Sequence, residues 1–330
     1  MPATAERPRL LPGLPVLHRG PDELQVGLGP EVGLVLSGVP VGVSDLLALA
    51  DGNHRRSDIL AMASRYDVEP ALIDQILRSL SSAGLLIDAA EEPIPTAIDL
   101  TAQRIRLVGA GRLGRAVATA LLQAQVGALY LVDPDPVDLA VYPRPGLAAT
   151  QAQALRTELE ARILQNQGRS LPARPDPEIR VLRHWTKPEY AGPDLTVIAI
   201  DRAEPDRAIG EDYTRADHPH LYVRPVLDGV VLGPFVRPGR GPCLRCTDLT
   251  RRDADPAWPL LLAQLCRTTL PIPPLLAVWA GTTAVTQLVG QLNGCPPSVG
   301  SGTLEMTAPE CELRYRTWPM HPGCGCAWYA

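Results

Sequence analysis

Between Arg104 and Asp135 the chain reads RIRLVGAGRLGRAVATALLQAQVGALYLVDPD. The mostly apolar run Ile105 to Val108 is short enough for a buried parallel strand. Gly109, Gly111 and Gly114 follow at GxGxxG spacing. Arg115 to Gln125, apolar and Ala-rich, reads as a helix, and a second apolar run, Ala128 to Val132, ends on Asp133. Strand, glycine turn, helix, strand and acid in this order predict an α/β chain built on a Rossmann-like, doubly wound sheet. The glycines permit a tight turn and close backbone approach. The helix N-terminus offers free N–H groups and a positive dipole end to a phosphate. An acid ending the second strand can hold ribose hydroxyls. Such loops persist when a ligand is lost, so the fold and a bound nucleotide are separate expectations.

With 330 residues the chain has room for roughly two domains of ~150 residues. The 31 basic and 36 acidic residues leave a net charge of -5, and no basic run appears, which argues against a nucleic-acid partner. The N-terminal MPATAERPRLLPGLPVL lacks the apolar core of a signal peptide. Leu275 to Leu292 is interrupted by Thr282, Thr283, Thr286, Gln287 and Gly290, and so predicts a buried helix rather than a membrane span. A cytoplasmic protein with no membrane partner is expected. All seven cysteines lie beyond residue 240; in a reducing compartment that clustering favours a metal over disulfides.

Residues 1–97 read as a separate small domain. Leu24 to Val26 and Gly33 to Leu36 predict two strands joined by a turn around Gly29 and Pro30. Helices are expected over Ser44–Ala50, Arg56–Tyr66 and Pro70–Ala83, the last with Ile73, Ile76, Leu77 and Leu80 on one face. Gly84 to Ile87 returns as a strand. Strands, helices and a closing strand make a winged-helix arrangement. With only Arg78 positive between Ala71 and Leu86, peptide or protein docking along a strand edge fits it better than DNA, and a purely structural cap is the alternative. Ala89 to Pro95, acidic and proline-bearing, reads as a linker to a second domain over 98–330.

Beyond Asp133, Asp135 and Asp138 leave the strand end, Arg144 sits in a Pro-Arg-Pro-Gly loop, and Thr150 is placed to cap a helix over Gln151–Gln165. Ile179–Leu182 and Leu195–Ile200 predict two further strands, the second running into Asp201. An acid there lies where parallel sheets bind ligands. It suits a magnesium ion held against nucleotide phosphates, or else a cap on the following helix. Leu221–Val226 and Gly229–Phe235 predict a hairpin about Asp228-Gly229. Cys243 and Cys246 form a CxxC pair, and Cys324 and Cys326 a CxC pair, each in a Gly/Pro-rich turn. Together they suit a closed four-thiolate zinc site, structural rather than catalytic, that ties the C-terminal tail to the turn after the Phe235 strand. His321 is a substitute ligand. Cys266, Cys295 and Cys311 lack partners at useful spacing, and Cys266 is the one to test as a reactive thiol.

GAGRLG, VDPDPVDL, Arg144, DLTVIAID, GPCLRC and CGC, in this order over about residues 100–330, resemble the ThiF family of ubiquitin-activating-enzyme-like adenylyltransferases. The resemblance implies that Gly109, Gly111, Gly114, Asp133 and Asp135 hold ATP, that Arg144 stabilises charge on the phosphates, and that Asp201 binds Mg2+. The implied chemistry is adenylation of a C-terminal carboxylate with pyrophosphate leaving. The chain departs from the family at AVYPRPGL, where Asn-Leu-x-Arg-Gln is usual, at Gln153, where a lysine is usual, and at Arg202, where Asn is common. Arg156 or Arg202 would have to supply the missing charge, and guanidinium and ammonium are not interchangeable. A winged-helix unit fused to such a domain also resembles the partner proteins of YcaO cyclodehydratases in azole-peptide biosynthesis. That implies a precursor or carrier peptide as partner, a leader bound as an added strand, and a YcaO-type enzyme beside it. In that group the ThiF-like domain often does no adenylation. A homodimer is expected from the family resemblance.

Overall fold

The computed structural model describes residues 5–28, 33–89, 100–166, 176–186, 192–309 and 312–326. The chain divides into two compact units, Met1–Ala97 and Ile98–Ala330. The Gly29–Pro30 turn, Cys311 and all of the Ala89–Pro95 segment but Ala89 lie outside the described residues.

In the first unit β1 (Pro8–Leu10) pairs antiparallel with β5 (Leu86–Asp88), while β2 (Val16–Gly20), β3 (Glu23–Val26) and β4 (Leu34–Ser37) form an antiparallel meander in that order. Between them run α1 (Gly42–Ala48), α2 (Arg56–Met62), a 3-10 turn over Ala63–Tyr66 and α3 (Pro70–Ser82). Proline at its first position starts α3, where the missing N–H costs nothing. Its stripe of Ile73, Ile76, Leu77 and Leu80 is buried on Val43, Leu46, Leu47 and Ile59. The strand after α3 joins β1 rather than the meander, so the helices are accompanied by two small sheets.

The second unit holds an eight-stranded sheet in the order β13-β12-β11-β10-β9-β6-β7-β8. Its strands are β6 (Arg104–Val108), β7 (Ala128–Val132), β8 (Glu178–Val181), β9 (Leu195–Ala199), β10 (His220–Val226), β11 (Gly229–Val236), β12 (Gly302–Thr307) and β13 (Glu312–Thr317). From β10 to β8 neighbours are parallel; β11, β12 and β13 continue antiparallel. The central strands β7 and β9 are buried at every position, which explains their unbroken apolar character. The helices are α4 (Arg112–Gln123), α5 (Gln151–Asn166), α6 (Arg207–Arg215), α7 (Leu244–Ala254), α8 (Trp258–Leu265) and α9 (Pro274–Leu292).

Alternation along the strands sends Ile105, Leu107, Leu221 and Val223 to a core shared with α4, α5 and α9. It sends Val108, Ile198 and Tyr222 to a second core with α6 and the start of α7. Helix α9 is long and apolar enough to cross a membrane by composition. Here Leu276, Ala277, Ala280, Ala284, Val285 and Leu288 are buried in the first core. Gly281 lets α9 meet α4, since a Cβ there would stand 2.7 Å from the Ala116 carbonyl carbon. Chain direction around the sheet reverses between β6 and β9: β7 and β8 lie on one side, β9 and β10 on the other. That reversal opens a crevice at the carboxyl ends of β6 and β9.

Candidate nucleotide site and cysteine cluster

The glycine loop lies at this crevice. Gly109 has φ +99°, and a Cβ on it would fall 2.0 Å from the carbonyl oxygen of Ala199 on β9. Only glycine combines that backbone conformation with that approach. Tyr142, buried, donates its hydroxyl to the carbonyl of Ala110 at 2.5 Å and so fixes the loop from behind.

The two expected acids meet this loop directly. Asp133 accepts the Ala110 N–H at 2.7 Å and the Asp135 N–H at 3.0 Å. Asp201 accepts the N–H groups of Arg112 and Leu113 at 2.7 and 3.1 Å, and its carboxylate stands 2.4 Å from where a Cβ on Gly111 would be. Asp201 therefore caps α4, the glycine-loop helix. The helix that follows it in sequence, α6, is capped by Asp206, which accepts from Ala208 at 2.9 Å. The helix end offered to a phosphate is thus held by the chain's own carboxylate. Burial raises the pKa of Asp133, reinforced by the like charges of Asp135 and Asp201 and opposed by the Ala110 and Asp135 amides. Burial also raises that of Asp201, against the Leu113 and Arg112 amides. Two desolvated carboxylates on one loop form a site that a cation would relieve.

The expected cations are dispersed. Arg144 is exposed on the loop after β7, with no hydrogen bond or ion pair among the described residues. Arg156 pairs with Glu160 at 2.7 Å. Arg115 makes a forked bond to Glu158 at 2.7 and 2.8 Å, and Arg162 meets the same carboxylate at 2.6 Å. Gln153, where a lysine is usual, serves the start of α5 instead. Its N–H reaches the Thr150 hydroxyl at 3.3 Å and its side-chain oxygen accepts the Ala149 N–H at 2.8 Å, in the manner of a capping box.

Arg202, named as a substitute cation, pairs with Asp135 at 2.9 Å. Sequence reading missed the charged cluster that follows it. Glu204, almost wholly buried, is met by Arg207 at 2.9 Å, Arg251 at 3.1 Å and Arg224 at 3.4 Å, and these cations hold its carboxyl below the usual range against the effect of burial. Asp248 takes a forked bond from Arg207 at 2.7 and 2.8 Å. Glu204 and Arg207 are three residues apart, but Arg224, Arg251 and Asp248 join them from at least twenty residues away, and no local signal marks those pairings.

The four cysteines converge. Their Sγ atoms all lie within 4.8 Å of one another, with Cys243 to Cys324 at 3.5 Å, Cys246 to Cys326 at 3.4 Å and Cys243 to Cys246 at 4.0 Å. Four thiolates at roughly 2.3 Å from a tetrahedral zinc would stand roughly 3.8 Å apart, so the cluster is compatible with zinc. It joins the C-terminal tail to the start of α7. His321 is engaged elsewhere, with Nε2 2.9 Å from Asp253 and Nδ1 accepting the Gly323 N–H. The Cys266 thiol donates to the Pro205 carbonyl at 3.3 Å, and burial raises its pKa, which opposes nucleophilic reactivity.

The sequence model of the ThiF family matches residues 93–326. No curated protein sequence matches the chain. Among solved structures, the microcin C7 biosynthetic enzyme MccB in complex with N-formylated MccA superposes with a TM-score of 0.69 at 14% identity, over 97% of this chain and 99% of that one. E. coli MccB with ATP gives 0.68 at 14% identity with the same coverage. The heterocyclase TruD gives 0.56 at 16% identity, over 98% of this chain and 43% of that one. At such identities the likeness is one of fold, and it extends over both compact units.

Proposed function

Since the chain belongs to the ThiF family, we propose that it is an ATP-binding, adenylyltransferase-type protein that acts on a ribosomally made peptide, whose leader it binds through the 1–97 unit. The observation that carries this reading is the meeting of the glycine loop with the desolvated Asp133 and Asp201 at the reversal point of the sheet. Asp133, as the acid ending the second strand, suits ribose hydroxyls. The residues fit a magnesium ion: Asp201, with phosphate oxygens, would hold it, and it would neutralise the polyphosphate. In the reaction a carboxylate oxygen of the peptide attacks the α-phosphorus, the bond to the bridging oxygen breaks, and pyrophosphate leaves with an acyl adenylate behind. The chain's own part is to align the nucleotide and exclude water, with the loop amides available once Asp201 turns to the metal.

The peptide reading draws on MccB, whose solved structures include complexes with MccA and with ATP. In the first unit, β2 and β4 are the free edges of the meander among the described residues, with Leu17 and Val35 exposed on them. Such open edges suit a leader that adds to the sheet as a further strand. Zinc in the cysteine cluster would be a structural staple, and a homodimer is part of the proposal by resemblance to the family.

A second reading is a scaffold that presents the peptide to a YcaO-type enzyme without adenylating it. It is favoured by the Asp201 carboxylate on the α4 N-terminus and by Gln153 serving as a helix cap. Exchange of labelled pyrophosphate into ATP with a candidate peptide separates the two. Exchange that Asp201→Ala abolishes supports adenylation, and no exchange with any peptide that binds supports the scaffold. Removal of residues 1–97 is expected to eliminate peptide binding; undiminished affinity would rule out that role.

A further inference from the structure

In the sheet, β6 lies between the strand that ends at Asp201-Arg202 and the strand that ends at Asp133 to Asp135. The Arg202–Asp135 ion pair, 2.9 Å long, therefore joins the two strand ends that flank the glycine loop. The backbone beneath Arg202 is fixed. It forms a bridge with Thr269, while Leu270 donates to the Asp201 carbonyl at 3.1 Å and Ala203 donates to the Thr268 carbonyl at 2.8 Å. Only the side chain is left to move, and it is 47% exposed, with Asp135 at 50%. Ion pairs this exposed are weak. A guanidinium takes a phosphate through two charge-assisted bonds, which is a stronger arrangement.

The remaining arginines fit this task less well. Arg115, Arg156 and Arg162 are held by glutamates. Arg112, whose charge acts on Asp201, also lines a groove between α4 and α9 with Ala277 and Val278. Arg144 is exposed and has no contact among the described residues that directs it to the loop.

We propose that Arg202 is the phosphate-binding cation of this site, parked on Asp135 when no nucleotide is present and transferred to the polyphosphate when one binds. The proposal rests on the nucleotide reading above. It makes Asp135 a resting counter-ion and not a nucleotide ligand.

Calorimetric titration of the full chain with Mg-ATP and, separately, with adenosine tests this. Arg202→Ala is expected to weaken ATP by roughly tenfold or more, the loss of one charge-assisted contact, while adenosine binding stays unchanged. Arg202→Lys should recover part of the loss. Asp135→Asn should tighten ATP severalfold, because it frees Arg202 and removes a negative charge beside the phosphates. Arg112→Ala and Arg144→Ala serve as comparisons, and thermal melts confirm that each variant is folded. If wild type binds ATP and Arg202→Ala binds it equally well, or if Asp135→Asn weakens ATP, the transfer is overturned while the nucleotide reading survives. If wild type binds neither ATP nor adenosine, the nucleotide reading falls and the proposal with it.

Discussion

Acid should destabilise the second unit through one buried imidazole on β10 and one half-buried on the turn before it. His220 is fully buried and donates from Nδ1 to the His218 carbonyl at 2.9 Å; Nε2 has no partner. Burial pushes its pKa from the ordinary 6.5 down to about 4. His218, half-buried with Nε2 2.8 Å from the Thr196 hydroxyl, is also pushed to about 4, by burial first and then by the Arg106 charge. The unfolded chain therefore takes up these protons first. Nothing is lost above pH 6.5; stability falls as pH drops from there towards 4, and levels off below. For the fully buried His220 the full fall is worth about 3 kcal/mol, of which about 2 kcal/mol is reached at pH 5; the part-exposed His218 contributes less, because solvent screens it. Asp133 and Asp201, whose pKa values are raised, act in the opposite sense, so the wild-type slope alone is not diagnostic. The useful quantity is a difference. His220→Phe keeps an aromatic ring against Tyr213 and Tyr222, whose centroids lie 5.5 and 5.2 Å from the imidazole. Urea unfolding at pH 7 and pH 5, followed by tryptophan fluorescence, should show the variant losing about 2 kcal/mol less than wild type on acidification. All five tryptophans lie beyond residue 184, so the signal reports on the second unit. Equal losses in the two proteins would refute the assignment of a depressed pKa to His220.

Glu204→Gln leaves Arg207, Arg224 and Arg251 short of a buried counter-charge and is expected to cost about 3–5 kcal/mol in urea unfolding; a loss below about 1 kcal/mol, the scale of an exposed pair, would contradict the cluster. Elemental analysis should find about one zinc per chain, with Cys243→Ser losing it and lowering the melting temperature, whereas a folded protein without metal would remove the staple. Gly281→Ala should destabilise by about 1–3 kcal/mol through overpacking against Ala116, and an unchanged melt would show that α4 and α9 yield there without cost.

What could be read in advance was whatever is encoded over a few residues. The glycine spacing gave the turn after β6, Asp228-Gly229 gave the β10–β11 hairpin with Asp228 at φ +55°, and Thr150 capped a helix found at Gln151–Asn166. The CxxC and CxC pairs were legible as pairs, and the structure brings all four sulfurs together. Pairings between remote segments were not legible. β1 is three residues long and exists because β5, more than seventy residues on, supplies its hydrogen bonds. β13 is exposed at every position, so no alternation of burial marks it. Asp201 was expected either at a metal or on the next helix. Which amides it meets depends on β6 and β9 being neighbours, a fact of sheet order that no local pattern carries.

The same sheet order explains why the site's chemistry must be settled by charge. Asp133, Asp135 and Asp201 all leave strands that adjoin or flank β6, so three carboxylates crowd one glycine loop. A triphosphate entering there meets repulsion unless cations accompany it or already wait at the rim. Helix amides alone are insufficient, because those of Arg112 and Leu113 at the start of α4 are already taken by Asp201, and a phosphate gains there only the difference between two anions at the same donors. Binding therefore has to draw its free energy from what the carboxylates gain on release: a metal ion for Asp201, and for Asp135 the water from which Arg202 shields it. A chain that had abandoned nucleotides altogether would have no use for buried acids whose repulsion is unrelieved, and replacing Asp133 or Asp201 with a neutral residue would then stabilise it. If both Asp133→Asn and Asp201→Asn melt higher than wild type with no loss of ATP affinity, the acids are relics and the scaffold reading prevails.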